Sequence, residues 1–309
     1  MRDTIKQKIL SVKAHWNNKI WWKDVMIDHI SKIVYPTNNG FYVLSEDWDY
    51  LIILDACRFD IFSTVIKQSK LYHLGKLEYR ISRGSMTAEF LIENFSREKF
   101  EDIIYITANP FVDMLLKGRF YKIVSVWKDG WNEELKTVHP RDVYTYAIRT
   151  IEKYPTKRFI IHFMQPHFPY LTFRPQEDTG FSQHREAALN GKETWEDQTI
   201  WNLVQEGRVP LERVIKAYTE NLRIALEYVE KLVTYLDGKI VITSDHGEAF
   251  GEPFHKLIPL KIYGHPRGTR IEPLVKVPWF IIEKPRQKKN PEALKVQKAI
   301  KNLKLKGKI

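Results

Sequence analysis

The chain has 309 residues, 43% of them hydrophobic, a formal net charge of +11 and a single cysteine. That length and apolar content suit one large α/β core with appended ends, and exclude both a disordered polar chain and a small disulfide-stapled scaffold. One cysteine excludes an internal disulfide, and no apolar run approaches the roughly 18 to 20 residues that cross a bilayer, so an integral helical membrane protein is not expected.

The charge sits at the two ends. Residues 283–309 carry ten Lys or Arg against Glu283 and Glu292, and residues 1–24 carry six against Asp3 and Asp24, which leaves the middle of the chain near neutrality. Residues 1–47 form a basic, aromatic N-terminal segment in which Trp16, Trp21, Trp22, Met26 and Ile27 stand among lysines. This mixture suits an amphipathic helix that either lies on an anionic membrane surface or packs its aromatic face on the body of the protein. The first apolar strand, Tyr50 to Leu54, ends in Asp55 and continues through Cys57, Arg58 and Asp60.

Next comes Ser85-Met-Thr87, just ahead of a helical pattern with Phe90, Leu91 and Phe95 on its apolar side. A hydroxyl there is either a helix cap or, at the positive end of the helix, a nucleophile. Asp102 to Thr107 and Arg158 to His162 read as further strands, and Arg141 to Tyr154 and Leu211 to Leu236 as covering helices. His162 lies within an apolar strand, where a satisfied core histidine is the expectation and a catalytic one the alternative. After Pro166-His167-Phe-Pro169-Tyr170, the polar stretch 172–208 reads as a partly helical cap over the site that selects the organic part of a substrate, or as a solvated insertion.

The run Ile240 to Thr243 is a buried strand that ends in Ser244-Asp245-His246-Gly247-Glu248. If both acid-ended strands lie in one parallel sheet, Asp55 and Asp245 meet at the carboxyl ends, where ligands bind. An Asp-His pair offers an oxygen and an imidazole nitrogen to a divalent cation, although a turn or cap would also place such residues there. Tyr263-Gly264-His265-Pro266 and an apolar run from Leu274 to Ile282 follow. Residues 284–309 form a basic tail with helical apolar spacing at Leu294, Ile300 and Leu303.

With these segments in place, residues 48–283 resemble the alkaline phosphatase superfamily, and within it the sulfatase-like branch. The Asp-x-x-Arg-x-Asp at Asp55 to Asp60, the Pro-His-x-Pro-Tyr at Pro166 to Tyr170, the Ser-Asp-His-Gly-Glu at Ser244 to Glu248, the Gly264-His265 pair and the Val277-Pro278 strand stand in that family's order. The resemblance implies a mostly parallel central sheet with helices on both faces, flanked here by basic helical termini. It also implies one divalent cation held by Asp55, Asp245, His246 and the nucleophile. Mn²⁺, Mg²⁺ or Zn²⁺ suits that set better than Ca²⁺, because one ligand is nitrogen.

Ser85-Met-Thr-Ala-Glu-Phe-Leu is similar to a stretch of the lipoteichoic acid synthases, a register that makes Ser85 the expected nucleophile and Thr87 its competitor. His167 and His265 are expected to contact substrate oxygens or protonate the leaving group. Arg58 is expected either to clamp a phosphoryl oxygen or to brace Asp60. The paired Asp-x-x-x-His of two-metal members is absent, although Glu248 or Asp113 is available to join His265 on a second ion.

The implied activity is a metal-dependent phosphoester hydrolase, acting on mono- or diesters, or a phospho-group transferase. Neither Cys57 nor Ser85 lies in the Cys/Ser-x-Pro/Ala-x-Arg sequence that sulfatases convert to formylglycine, so sulfate ester hydrolysis is the alternative reading. A membrane-associated binding protein without turnover is the alternative from another class. Partners are expected to be an anionic ester and an anionic membrane surface, with no specific nucleic acid. No charged-then-apolar leader opens the chain, so a cytoplasmic, peripheral location is the expectation. Substrate, metal identity and oligomeric state stay open at this level.

Overall fold

A computed structural model of the protein describes residues 16–175, 185–186, 189–190 and 199–286. Residues 1–15, much of the expected cap and the basic tail from residue 287 onward lie outside the described residues. In chain order the helices are α1 (Lys19–Val34), α2 (Phe59–Val65), α3 (Thr87–Phe95), α4 (Phe111–Leu116), α5 (Val126–Asp129), α6 (Pro140–Lys153), α7 (Ile200–Gln205), α8 (Leu211–Tyr235) and α9 (Glu272–Val275). The strands are β1 (Tyr50–Leu54), β2 (Lys76–Ile81), β3 (Phe100–Thr107), β4 (Phe120–Ser125), β5 (Trp131–Asn132), β6 (Thr137–Val138), β7 (Arg158–Phe163), β8 (Lys239–Thr243), β9 (Ala249–His255), β10 (Ile258–Gly264) and β11 (Lys276–Glu283).

Seven strands form one sheet in the order β2-β11-β8-β1-β7-β3-β4. β1 runs parallel to β7 and β8, and β3 parallel to β7 and β4, while β11 pairs antiparallel with β8 and β2. All five residues of β1 are buried, as continuous apolar runs require when a strand is covered on both faces. One face packs Phe62 of α2, Val143 and Ala147 of α6, and Leu222, Leu226 and Val229 of α8 against Ile52, Ile161 and Ile242. The other packs Phe90 and Leu91 of α3 and Val112 of α4 against Leu51, Ile53, Ile160 and Val241. This is the α/β sheet with helices on both faces that the sequence implied.

The order places β1 centrally, between strands that follow it by more than a hundred residues. Ile53 is level with Thr243 on one side and with His162 on the other. Asp55 and Asp245, each two residues further on, therefore leave neighbouring strands side by side. α1 is capped by Asn18, whose Oδ1 accepts from Ile20 N and Trp21 N, each at 3.0 Å. Its inner face buries Ile27 against Phe254, Ile262 and Leu274. Trp16, Trp22, Met26 and Ile33 stay exposed, so the segment packs on the body and still presents an apolar surface.

Candidate active site

The acid pair is held by the turn that follows β1. Ala56 has φ +56°, a left-handed conformation that costs a non-glycine residue roughly 1 kcal/mol. Hydrogen bonds hold the turn in that shape. Ala56 N donates to Asp245 Oδ1 at 3.0 Å, and Cys57 N to Ser244 Oγ at 2.7 Å. The Tyr218 hydroxyl donates to Ala56 O at 2.6 Å and accepts from Arg58 N at 2.9 Å.

Gly247 serves the same region, though not through a special φ. A Cβ there would lie 1.9 Å from Pro273 O, so the loop bearing the Asp-His pair can seat against α9 only without a side chain. Cys57 is fully buried, and burial pushes its thiol well up, followed by the charges of Asp60 and Asp245, so it is a packing residue without thiolate character.

Above the acids lies the N-terminus of α3. Thr87 is its first residue, and its Oγ1 donates to Asp245 Oδ2 at 2.7 Å and lies 3.2 Å from His246 Nε2. His246 Nε2 is also 3.4 Å from Asp245 Oδ2 and 3.8 Å from Asp55 Oδ1. Burial lowers the His246 pKa, and its Nδ1 lies 2.7 Å from Gly247 O, the contact of a ring that donates from Nδ1 and keeps a lone pair on Nε2.

Burial alone would raise Asp55. The neighbouring His162, His167 and His246 outweigh it and hold the carboxyl below the usual range. Asp55 Oδ1 is buried without a hydrogen-bond partner. A divalent cation fits here: the separations recorded among these donor atoms run from 2.7 to 3.8 Å, near the roughly 3 to 4 Å between ligands about 2.1 Å from a common ion, and the orphaned Asp55 oxygen faces His246, while Asp55, Asp245 and His162 also form a group able to hold a metal.

Ser85, the expected nucleophile, makes its hydrogen bonds away from this centre. Met86 between the two hydroxyls is extended, so α3 starts only at Thr87. The Ser85 hydroxyl instead sits 2.9 Å from Glu89 Oε2 and 3.0 Å from Pro266 O, while its N–H donates to the same Glu89 oxygen at 2.9 Å. The Ser85 hydroxyl is thus a donor to the Glu89 carboxylate and the Pro266 carbonyl and caps no helix N–H. His162 also departs from the reading as a satisfied core histidine. Its Nδ1 is 3.0 Å from the Tyr105 hydroxyl, and its Nε2 has no hydrogen-bond partner and points at the acids, 3.4 Å from Asp55 Oδ2 and 4.0 Å from Asp245 Oδ2.

A second cluster, His167, Glu248 and His265, stands beside the first, with one donor atom from each lying within 4.8 Å of the others. The His265 ring is 4.6 Å from that of His246 and 5.1 Å from that of His167. Its Nδ1 contacts Glu248 Oε1 at 2.8 Å. Burial would lower His265, but the Glu248 carboxylate more than offsets this and raises it to about 9, so the ring is cationic at neutral pH. Of the two acids open to His265, Glu248 makes the contact, whereas Asp113 is engaged by Ser125, Trp127 and Lys128.

Arg58 is occupied elsewhere. Its guanidinium forks onto Asp60 at 2.9 and 2.7 Å and reaches Glu252 and the carbonyl of Glu248. This geometry braces the loop and leaves little of the group for a phosphoryl oxygen. Three residues without a sequence motif complete the site. Asn109 donates to Asp55 Oδ2 at 2.7 Å. Tyr105 contacts His162, and Asn221 of α8 ties down the loop that carries His167.

Comparison with known proteins follows the same lines. A family profile described as Sulfatase matches residues 90–303, a span that includes the Asp-His pair, His167 and His265 and begins just after Thr87. No curated protein matches the chain. Among solved structures, the C-terminal periplasmic domain of phosphoethanolamine transferase EptC from Campylobacter jejuni is similar at 16% identity over 75% of this chain and 77% of that one, with a TM-score of 0.44. The corresponding EptC domain from Escherichia coli, in complex with Zn, is 13% identical over 80% and 76%, with a TM-score of 0.46. The lipoteichoic acid synthase LtaP from Listeria monocytogenes is 12% identical over 84% and 72%, with a TM-score of 0.42.

Proposed function

Because the chain belongs to the sulfatase family, we propose that it is a cation-dependent phosphoester hydrolase or phospho-group transferase with Thr87 as its nucleophile. The observation that carries this reading is the Thr87 hydroxyl, fixed at the N-terminus of α3 at 2.7 Å from Asp245 and 3.2 Å from His246. Asp55, Thr87, Asp245 and His246 would hold one divalent cation. When bound, that cation supplies positive charge to a phosphoryl oxygen and favours the alkoxide of Thr87.

Thr87 attacks phosphorus in line, its P–O bond forms as the ester P–O bond breaks, and the hydroxyl proton is taken up at the adjacent carboxylate oxygen. The leaving alkoxide receives a proton from the His167–His265 cluster, where His265 carries one at neutral pH. Water or an acceptor alcohol then cleaves the phosphothreonine, which distinguishes hydrolase from transferase.

Sulfate ester hydrolysis through formylglycine is disfavoured by residue type. Oxidising Cys or Ser gives that aldehyde, whereas the hydroxyl at this centre is a threonine. The test compares matched aryl phosphate monoester, phosphodiester and sulfate ester substrates with and without Mn²⁺. Thr87→Ala should lower phosphoester turnover by about 10⁴-fold or more, and Ser85→Ala by less than about tenfold. Loss in Ser85→Ala with activity in Thr87→Ala, or sulfate-selective cleavage, would refute the assignment. Cation binding without turnover across all three esters would instead favour a binding protein.

No described helix is long and apolar enough to cross a membrane. Trp16, just ahead of α1, and Ile33 within it are 67% and 78% accessible, near the exposed Lys19 and Lys32, which supports peripheral contact with an anionic surface.

A further inference from the structure

The group in this site that the proposed reaction leaves unused is His162. It is fully buried on β7, beneath the acid pair, and the only hydrogen-bond contact of its ring among the described residues is the Tyr105 hydroxyl at 3.0 Å. The surroundings of the two rings favour one direction for that contact, because an Nε2–H would face a carboxylate whereas a phenolic proton turned away from His162 would face no acceptor among the described residues. The Tyr105 hydroxyl is buried too, and has no other partner among the described residues. If His162 Nδ1 donated to it, the phenolic proton would have no acceptor among the described residues and would remain buried and unsatisfied. If Tyr105 donates to Nδ1, that proton is used and the ring carries its own proton on Nε2. Nε2 points at Asp55 Oδ2, 3.4 Å away.

The same oxygen already accepts from Asn109 Nδ2 at 2.7 Å. Asn109 therefore donates to Asp55 Oδ2 and His162 Nε2 faces the same oxygen from 3.4 Å, while no donor reaches Oδ1, which is buried, orphaned and 3.8 Å from His246 Nε2. We propose that His162 is a positioning residue: held in its Nε2–H tautomer by Tyr105, it turns that N–H towards Oδ2 of Asp55, the oxygen Asn109 already engages, and so leaves Oδ1 for the cation. This rests on the cation site proposed above. The arrangement resembles the outer partners that orient metal-binding carboxylates, whose removal commonly weakens metal affinity about 10- to 100-fold.

The test is made on metal-free protein and needs no turnover. Mn²⁺ affinity is measured by isothermal titration calorimetry for the parent chain and for His162→Leu, His162→Gln and Tyr105→Phe, with thermal melting to verify folding. His162→Leu should weaken Mn²⁺ binding about 10- to 100-fold. His162→Gln, whose amide nitrogen can stand near Nε2, should recover most of the loss, and Tyr105→Phe should fall between them.

In ¹⁵N-histidine NMR of the unmutated protein, His162 should show a protonated Nε2 and a pyridine-type Nδ1, a readout independent of whether any variant folds. A protonated Nδ1, or a Leu variant that folds and binds Mn²⁺ like the parent, overturns the proposal. So does a Gln variant as weak as the Leu one, because an amide N–H standing near Nε2 should restore the donation. If the parent chain itself binds no Mn²⁺, the cation site fails, and the tautomer still decides the hydrogen-bond direction on its own.

Discussion

Asn221 lets one buried amide be followed from helix to chemistry. It sits in the middle of α8 with no exposure, and its carboxamide faces the loop Pro166 to Leu171. Oδ1 accepts from Leu171 N at 2.8 Å, and Nδ2 lies 3.2 Å from the carbonyls of both His167 and Pro169 and 3.4 Å from that of Pro166. Asn221→Leu keeps the volume and removes every one of these bonds. The Leu171 N–H is then an unsatisfied donor, and two carbonyl oxygens lose their best partner. At about 1 to 3 kcal/mol for the donor and less for the carbonyls, which retain lone-pair freedom, the expected loss is about 3 kcal/mol in chemical denaturation.

The functional effect is separate from stability. Displacing the His167 loop by about 1 Å is enough to lower kcat/KM by on the order of 100-fold, since proton transfer requires hydrogen-bond reach. Aryl phosphate turnover should therefore fall in Asn221→Leu, and the double variant with His167→Ala should fall no further than His167→Ala alone. Additive losses in the double variant, or a folded Asn221→Leu protein with stability and turnover both unchanged, would refute the argument.

Three further outcomes follow from the geometry. In EDTA, the His265 imidazole should titrate near pH 9 by NMR, and Glu248→Gln should return it to the ordinary histidine range or below. Because this folded-state pKa is raised from 6.5, the contact stabilises the metal-free fold fully below pH 6.5 and loses its contribution, on the order of 3 kcal/mol, as pH rises through 9. Gly247→Ala should destabilise the protein by about 3 kcal/mol in denaturant melts and weaken Mn²⁺ binding with it, since the obstacle at 1.9 Å is the backbone of Pro273 and not a movable side-chain end. Vesicles rich in phosphatidylserine should sediment the protein and phosphatidylcholine vesicles should not, with Trp22→Ala and Met26→Ala reducing the bound fraction severalfold; equal binding to both lipids would remove the electrostatic part of that reading.

The central strands were legible because continuous apolar runs such as Tyr50 to Leu54 and Ile240 to Thr243 are buried on both faces. The long helices were legible too: Arg141 to Tyr154 and Leu211 to Leu236 are observed as Pro140–Lys153 and Leu211–Tyr235. Adjacent residues with strong chemistry, Asp245 and His246, also announced themselves. What stayed hidden depended on strand order. His162 looks like core because it is core on its own strand, and only the parallel pairing of β7 with β1 sets it beneath Asp55.

Asn109 and Tyr105 were missed for the same reason, since β3 reaches the site as the far neighbour of β7. The choice between Ser85 and Thr87 turns on a different point. Two hydroxyls separated by one residue cannot be told apart by pattern when the helix start decides which one faces the acids, and an extended Met86 put that start at Thr87. The close approach of Gly247 to Pro273 was not legible, because contact with a distant segment leaves no mark in local sequence.

The candidate cation site draws on Asp55, Thr87, Asp245 and His246, so its first and last donors are separated by most of the described chain. β1 and β8 become neighbours only when the chain between them, including α8, has closed over the sheet. A partly folded chain thus has half of the donor set at most, and high-affinity cation capture becomes a late event that reports completion of the sheet. Through mass action the ion then stabilises the whole fold, with no special hold on the loops that touch it. Chelation should accordingly lower the single cooperative melting transition and leave no separate transition for the site.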